Sequence, residues 1–158
     1  HGATYIHATL FAIWSLFETG EEEAAYEQIG KILPLTHEFI STTPFVMPNS
    51  YIYNEELGLD GESMSDWFTG SGCVLVKVFF FCVFGVKADL DGLKIAPPEK
   101  LPFEKMRTLL KIKGGEVEII YAEKGGRRRF FVNGREVGKV CLLNADICGK
   151  KIKIEITD

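Results

Sequence analysis

From Tyr5 to Phe17 almost every residue is apolar, and two stripes run through the segment at helical spacing: Ile6, Leu10, Ile13 and Phe17, and His7, Phe11 and Trp14. Recurrence at three- and four-residue steps marks a helix, and one that is apolar on two faces is predicted to be buried on most sides. Gly20 interrupts the pattern. Beyond it Glu21, Glu22 and Glu23 stand where the positive end of a helix favours carboxylates, and Ala25, Ile29, Ile32 and Leu33 form one apolar face before Pro34. These features predict an antiparallel helix pair with a tight turn, the first helix inner and the second outer, as in stacked or toroidal helical folds.

Residues 35–67 carry Pro44, Pro48, Asn49, Asn54, Gly58 and Gly61 without a sustained period, and read as one long loop of the kind that is functional or disordered. Residues 69–85 pull in two directions, because β-branched and aromatic richness favours a buried strand while length favours a helix. After Gly85 the period becomes two. Strands are predicted at 93–95, 109–113, 117–121, 130–132, 136–142 and 152–156, with turns at Gly114-Gly115 and Gly125-Gly126 and a type I′ hairpin at Asn133-Gly134. The chain therefore divides into a helical part, 1–86, and an all-β part, 87–158, with a sandwich-like strand rhythm.

With 158 residues, 46% of them hydrophobic, the chain is long enough to bury a core without disulfides, and it is not intrinsically disordered. A net charge of −4, with Arg127, Arg128 and Arg129 the one dense basic cluster, argues against a general nucleic-acid binder. Cys73, Cys82, Cys141 and Cys148 have no Cys-x-x-Cys or histidine spacing that would suit zinc, and are read as buried thiols. The longest apolar run, Cys73 to Val86, contains Lys77 and falls short of the roughly 20 residues of a membrane span, so no span is predicted. The chain opens on His1-Gly2 with neither an initiator methionine nor a signal peptide, and is expected to be a piece of something longer.

Three features could carry chemistry. His7, inside an otherwise apolar helix, is either a hydrogen-bonded core histidine or the lining of a cavity. Trp67-Phe68-Thr69-Gly70-Ser71-Gly72 is either an ordinary helix cap, with glycines for close packing, or an anion site built from N-terminal N–H groups and hydroxyls. It lacks the Lys-Ser/Thr of a P-loop. The loop before it gathers Asp60, Glu62, Asp66 and Trp67, a set that suits sugar hydroxyls and a pyranose face, although turns and caps are commoner uses of such residues.

Tyr5-Ile6-His7-Ala8, the Trp67 to Gly72 motif and the stretch Phe84-Gly85-Val86-Lys87-Ala88-Asp89-Leu90-Asp91-Gly92-Leu93-Lys94-Ile95-Ala96-Pro97 occur in an order and at spacings that resemble the C-terminal end of the inverting glycoside phosphorylases. That is glycoside hydrolase family 94, the cellobiose, cellodextrin and chitobiose phosphorylases and the cyclic β-1,2-glucan synthases. The resemblance is densest over residues 2–35 and 48–113. It implies an α+β architecture, the last helices and substrate-site loop of an (α/α)6 catalytic toroid over 1–86 followed by a C-terminal antiparallel β-sandwich over 87–158, and it settles residues 69–85 as a helix.

The resemblance also implies hexosyl transfer to inorganic phosphate, a co-substrate in a reaction without cofactor or metal. A carboxylic acid protonates the glycosidic oxygen while phosphate attacks the anomeric carbon from the opposite face. It assigns phosphate binding to His7, Thr69 and Gly70, with Glu62, Asp66 and Trp67 as substrate-loop candidates. The general acid and an arginine ligand of phosphate belong to earlier parts of the toroid, so no catalytic residue is expected here and the chain alone is expected to be inactive. Thr9 stands where relatives often carry Asn. The implied partners are a β-linked oligosaccharide or disaccharide, phosphate, the remainder of the parent polypeptide and a second copy in a homodimer, with neither nucleic acid nor membrane, and the implied location is cytoplasmic. The competing expectation is a non-catalytic carbohydrate-binding or structural β-sandwich module.

Overall fold

Helices precede most of the strands along the chain, and the protein is α+β, as the computed structural model, which describes residues 2–36, 45–59, 61–65 and 70–158, records. The chain divides into two units, 1–82 with 98–100, and 83–97 with 101–158.

The first unit contains β1 (Gly2–Tyr5), α1 (Ile6–Glu18), α2 (Glu22–Ile32), β2 (Ser50–Tyr53), β3 (Ser63–Met64) and α3 (Ser71–Val78), which runs on into a π-helical turn at Phe79–Val83. Helix α1 stops where the sequence says it should. Gly20 adopts φ +80°, its N–H donates to the Phe17 carbonyl, and the Glu21 N–H donates to that of Leu16, which closes the helix and starts the turn into α2. Glu22 and Glu23 occupy the first turn of α2 and Lys31 the last, both suited to the helix dipole. Ile6, Leu10 and Ile13 are buried together with Ala25, Ile29 and Ile32 of α2, Tyr51 of β2, and Val78 and Cys82. Each such aliphatic side chain removed from water contributes about 1.5–3 kcal/mol.

Helix α1 is not buried on most sides. One stripe is covered, whereas Phe11 of the other is 55% exposed, because the residues clustered against α1 lie on the Ile6–Leu10–Ile13 side. Residues 98–100 fasten to α2: the Tyr26 hydroxyl donates to the Lys100 carbonyl at 2.9 Å, and the Lys100 ammonium pairs with Glu23. That ammonium holds the Glu23 carboxyl below its ordinary value.

The stretch 35–67 is not one loop. Within it β2 pairs antiparallel with both β1 and β3, through Ala3↔Ile52 and Tyr51↔Ser63. The strand Ser50–Tyr53 has too few residues to display a period, and its partner, Gly2–Tyr5, reads in sequence as the approach to a helix. The expectation of a helix over 69–85 holds over 71–83; Phe84 and Gly85 lie beyond its end, and Thr69 is outside the described residues.

The second unit contains β4 (Val86–Ala88), β5 (Gly92–Ile95), β6 (Lys105–Ile112), β7 (Gly115–Ala122), β8 (Arg129–Val132), β9 (Arg135–Val137), β10 (Val140–Leu143), α4 (Asn144–Ile147) and β11 (Lys151–Thr157). They form a three-stranded sheet, β10-β5-β4, and a five-stranded sheet, β6-β7-β11-β8-β9. Asn133 and Gly134, at φ +49° and +79°, turn β8 into β9 as the sequence predicts, and Lys113 and Gly114, at +49° and +71°, do the same between β6 and β7, one residue earlier than expected. In the turn before β5, the Lys94 ammonium and the N–H groups of Asp91 and Gly92 hold the Asp89 carboxyl below its ordinary value. Alternation buries Val117, Ile119 and Tyr121 on β7 and Ile152, Ile154 and Ile156 on β11.

Three sequence expectations are corrected here. The pairing is not antiparallel throughout, since β11 runs parallel to β7 with Ile154 opposite Ile119. The chain between them passes through β8, β9, β10 and α4, the long return that parallel neighbours require. Residues 136–142 are two strands in different sheets, β9 beside β8 and β10 beside β5, separated at Gly138-Lys139. Of the four thiols only Cys82 is buried, because Cys73, Cys141 and Cys148 fall on outward positions of their elements.

Tyr121 is fully buried and its hydroxyl donates to the Phe84 carbonyl at 2.5 Å. Tyr121→Phe keeps the ring and removes that hydrogen bond, so chemical denaturation should show a loss of about 0.5–1.5 kcal/mol. No helix among the described residues is long and apolar enough to cross a membrane.

Candidate functional site

His7 sits in the first turn of α1 and Gly70 caps the N-terminus of α3. The two meet. A Cβ built on Gly70 would lie 3.5 Å from His7 Cε1 and 3.7 Å from Nδ1, with no other described atom outside its chain neighbours within 4 Å. The imidazole is half-buried and stacks on Phe11, ring centroids 5.3 Å apart, with Tyr5 at 6.1 Å on a tilted plane. Its plane is therefore set by aromatic neighbours on its own segment, and one ring edge faces the Gly70 backbone.

Two helix N-termini thus approach one spot, and among the described residues neither has a carboxylate in its first turn. Neither the first turn of α1 nor that of α3 holds an acidic residue, and neither N-cap residue supplies a side-chain hydrogen bond. Helix α2 shows the contrast, with Glu22 and Glu23 in its first turn. The first turn of a helix leaves N–H groups without intrahelical partners and carries about half a positive charge, so such an end attracts an anion. At α1 the Ile6 N–H donates to the Asn49 carbonyl at 3.0 Å. At α3 the Gly70 carbonyl accepts from Val74 N–H at 3.1 Å, which fixes Gly70 as the start of the helix, and Ser71 beside it is completely buried. Gly70 allows close approach to the backbone because it has no side chain.

Of the residues singled out in sequence, His7 and Gly70 are brought together. Glu62 is half-buried in the turn between β2 and β3, where its carbonyl accepts from Ile52 N–H at 2.9 Å. Thr69, Asp66 and Trp67, together with Asp60, lie outside the described residues. Among the described residues no three His, Cys, Asp or Glu side chains converge as a metal site would require. Sequence reading missed that the stripe continuing from His7 through Phe11 and Trp14 stays partly open, with Ser15 and Glu18 as polar residues beside it. The signal was present as a second apolar stripe on α1, more than one packing face needs. Compared with known proteins, the chain matches no family model and no curated protein.

Proposed function

We propose that the chain is the C-terminal part of a carbohydrate-active enzyme that makes or breaks β-glycosidic bonds by inverting phosphorolysis, and that it supplies part of the phosphate site. The observation carrying this reading is the approach of His7 to Gly70 where two helix N-termini meet, neither with a described carboxylate in its first turn. In the reaction a phosphate oxygen bonds to the anomeric carbon as the glycosidic C–O bond breaks. The leaving oxygen takes its proton from a carboxylic acid elsewhere in the parent, and the product is a sugar 1-phosphate. The tasks of this chain are to hold and orient the nucleophile. His7 donates one charge-assisted hydrogen bond, the α3 N-terminus donates others through its backbone, and Thr69 adds a hydroxyl. In the same reading Glu62, Asp66 and Trp67 belong to the substrate loop, the helices complete an (α/α)6 toroid, the second unit is a β-sandwich, and the enzyme works in the cytoplasm.

The test is an assay of the source protein on cellobiose, laminaribiose, sophorose and chitobiose, with and without phosphate. Turnover that requires phosphate and releases a sugar 1-phosphate is the expected outcome. Phosphate-independent hydrolysis, or no turnover of any of these, overturns the reading. A second reading, a phosphate-indifferent glycan-binding module, is favoured by one feature, a groove of about 270 Å³ on the five-stranded sheet lined by Arg107, Leu109, Glu118, Asn133, Lys151 and Lys153. It expects oligosaccharide binding there that phosphate does not alter.

A further inference from the structure

The five-stranded sheet ends on strands of unequal length. At one edge β9 has three residues, too few to template another strand, whereas at the other β6 runs for eight, roughly 25 Å, and among the described residues pairs with β7 alone. Alternate N–H and C=O groups of β6 therefore point away from the sheet, where no described strand receives them. Its side chains alternate as well. Lys105, Arg107, Leu109 and Lys111 are exposed on one side. On the other, opposite Tyr121, Ile119 and Val117, Met106 is buried while Thr108 and Leu110 are only half-covered, as is Ile112 beyond them. The strand already paired with β6 shows what this pattern accepts. β7 reads Glu116-Val117-Glu118-Ile119, with Glu116 directly opposite Lys111, and Glu118 opposite Leu109 and ion-paired with Arg107. Glu116 pairs with Lys151 instead, so Lys105 and Lys111 carry no ion pair among the described residues.

We propose that the open edge of β6 is a docking site for an extended acidic segment of a partner protein, which adds to the sheet as a sixth strand antiparallel to β6. Carboxylates at alternate positions of that segment face Lys105, Arg107 and Lys111, and the apolar residues between them complete the cover over Thr108, Leu110 and Ile112. A second copy of β6 fits badly. In a symmetric antiparallel pair exposed residues meet exposed residues, and three registers overlap most of the strand. They set Arg107 against itself, Lys105 against Lys111, or Arg107 against Lys111, so each opposes like charges. The cations that keep two copies apart are thus the ones that select an acidic strand. The inference is independent of the phosphorolysis reading.

The test is amide NMR of the 158-residue chain titrated with a capped octapeptide of alternating Glu and Val. Shifts centred on residues 105–112 are expected at sub-millimolar peptide, with slower hydrogen exchange at alternate amides of β6. Two control peptides should not bind: one with two of its Val replaced by Pro, which keeps every charge but breaks the ladder, and one of alternating Lys and Val. Lys105→Glu combined with Lys111→Glu, both at exposed positions, should weaken the Glu-Val peptide at least about tenfold and admit the Lys-Val peptide. No shift along β6, or equal binding of the Lys-Val peptide by the unaltered chain, overturns the proposal. Equal binding of the Pro-containing peptide overturns it too, because the contact would then be ionic without strand addition. Shifts along β6 that follow protein concentration in the absence of peptide would assign the edge to a second copy and overturn the acidic partner.

Discussion

Gly85→Ala should strongly destabilise the second unit. A Cβ at Gly85 would lie 2.2 Å from the Ala96 carbonyl oxygen and 2.3 Å from Pro97 N, and both are backbone atoms with nowhere to go. The Ala96 N–H donates to the Gly85 carbonyl at 2.8 Å, so the two strands are fastened where the methyl group would enter. Gly85 also has φ +62°, a left-handed conformation that alanine adopts at a cost. Backbone strain and overpacking each contribute a few kcal/mol, about 4 kcal/mol together, a large share of the stability of a domain this size. Gly30→Ala is the matched control, because Gly30 lies inside α2 and a Cβ there meets nothing within 4 Å. The same added methyl group should stabilise by about 0.5–1 kcal/mol through helix propensity. Denaturation midpoints of the two variants should therefore move in opposite directions, and a shared direction would mean that the β4–β5 junction relaxes to admit a side chain.

Much of this architecture is legible in the sequence where one local rule decides. The α1–α2 pair follows from the apolar spacing, the glycine stop at Gly20 and the glutamates that open α2, and Asn133-Gly134 specifies its hairpin because both residues tolerate positive φ. What the sequence conceals depends on partners distant along the chain. Gly2–Tyr5 and Ser50–Tyr53 become strands because each supplies the other's hydrogen bonds, and neither segment has a period of its own. Residues 136–142 look continuous, yet β9 and β10 are claimed by different sheets. The same holds for the candidate site. His7 alone and the Gly70 motif alone each have an ordinary structural use, and only the packing of α1 against α3 makes them neighbours. The absence of acid from both first turns was readable in advance, but its meaning depends on that juxtaposition.

If the chain serves a phosphorolytic parent as proposed, Gly70→Asp should separate stability from phosphate binding in that parent. Gly70 has φ −85° and ψ 1°, a conformation open to any residue, and a carboxylate at the start of a helix suits its dipole, so the substitution should strengthen α3 by about 0.5 kcal/mol. The same carboxylate would occupy the spot where the two helix N-termini meet and repel an incoming anion, so the KM for phosphate should rise on the order of 100-fold. His7→Ala removes a donor to a charged ligand, worth about 1.5–3 kcal/mol, and should raise that KM by a similar factor, with the KM for sugar much less affected. Gly70→Ala serves as the calibration. Its Cβ would stand 3.5 Å from His7 Cε1, ordinary van der Waals contact, so phosphate binding should be nearly preserved, whereas the larger Gly70→Val should displace the imidazole and weaken it about tenfold or more. If His7 and Gly70 serve packing alone, the four variants will follow a different order: Gly70→Asp will be benign, His7→Ala will lower the melting temperature, and no member of the series will move the KM for phosphate.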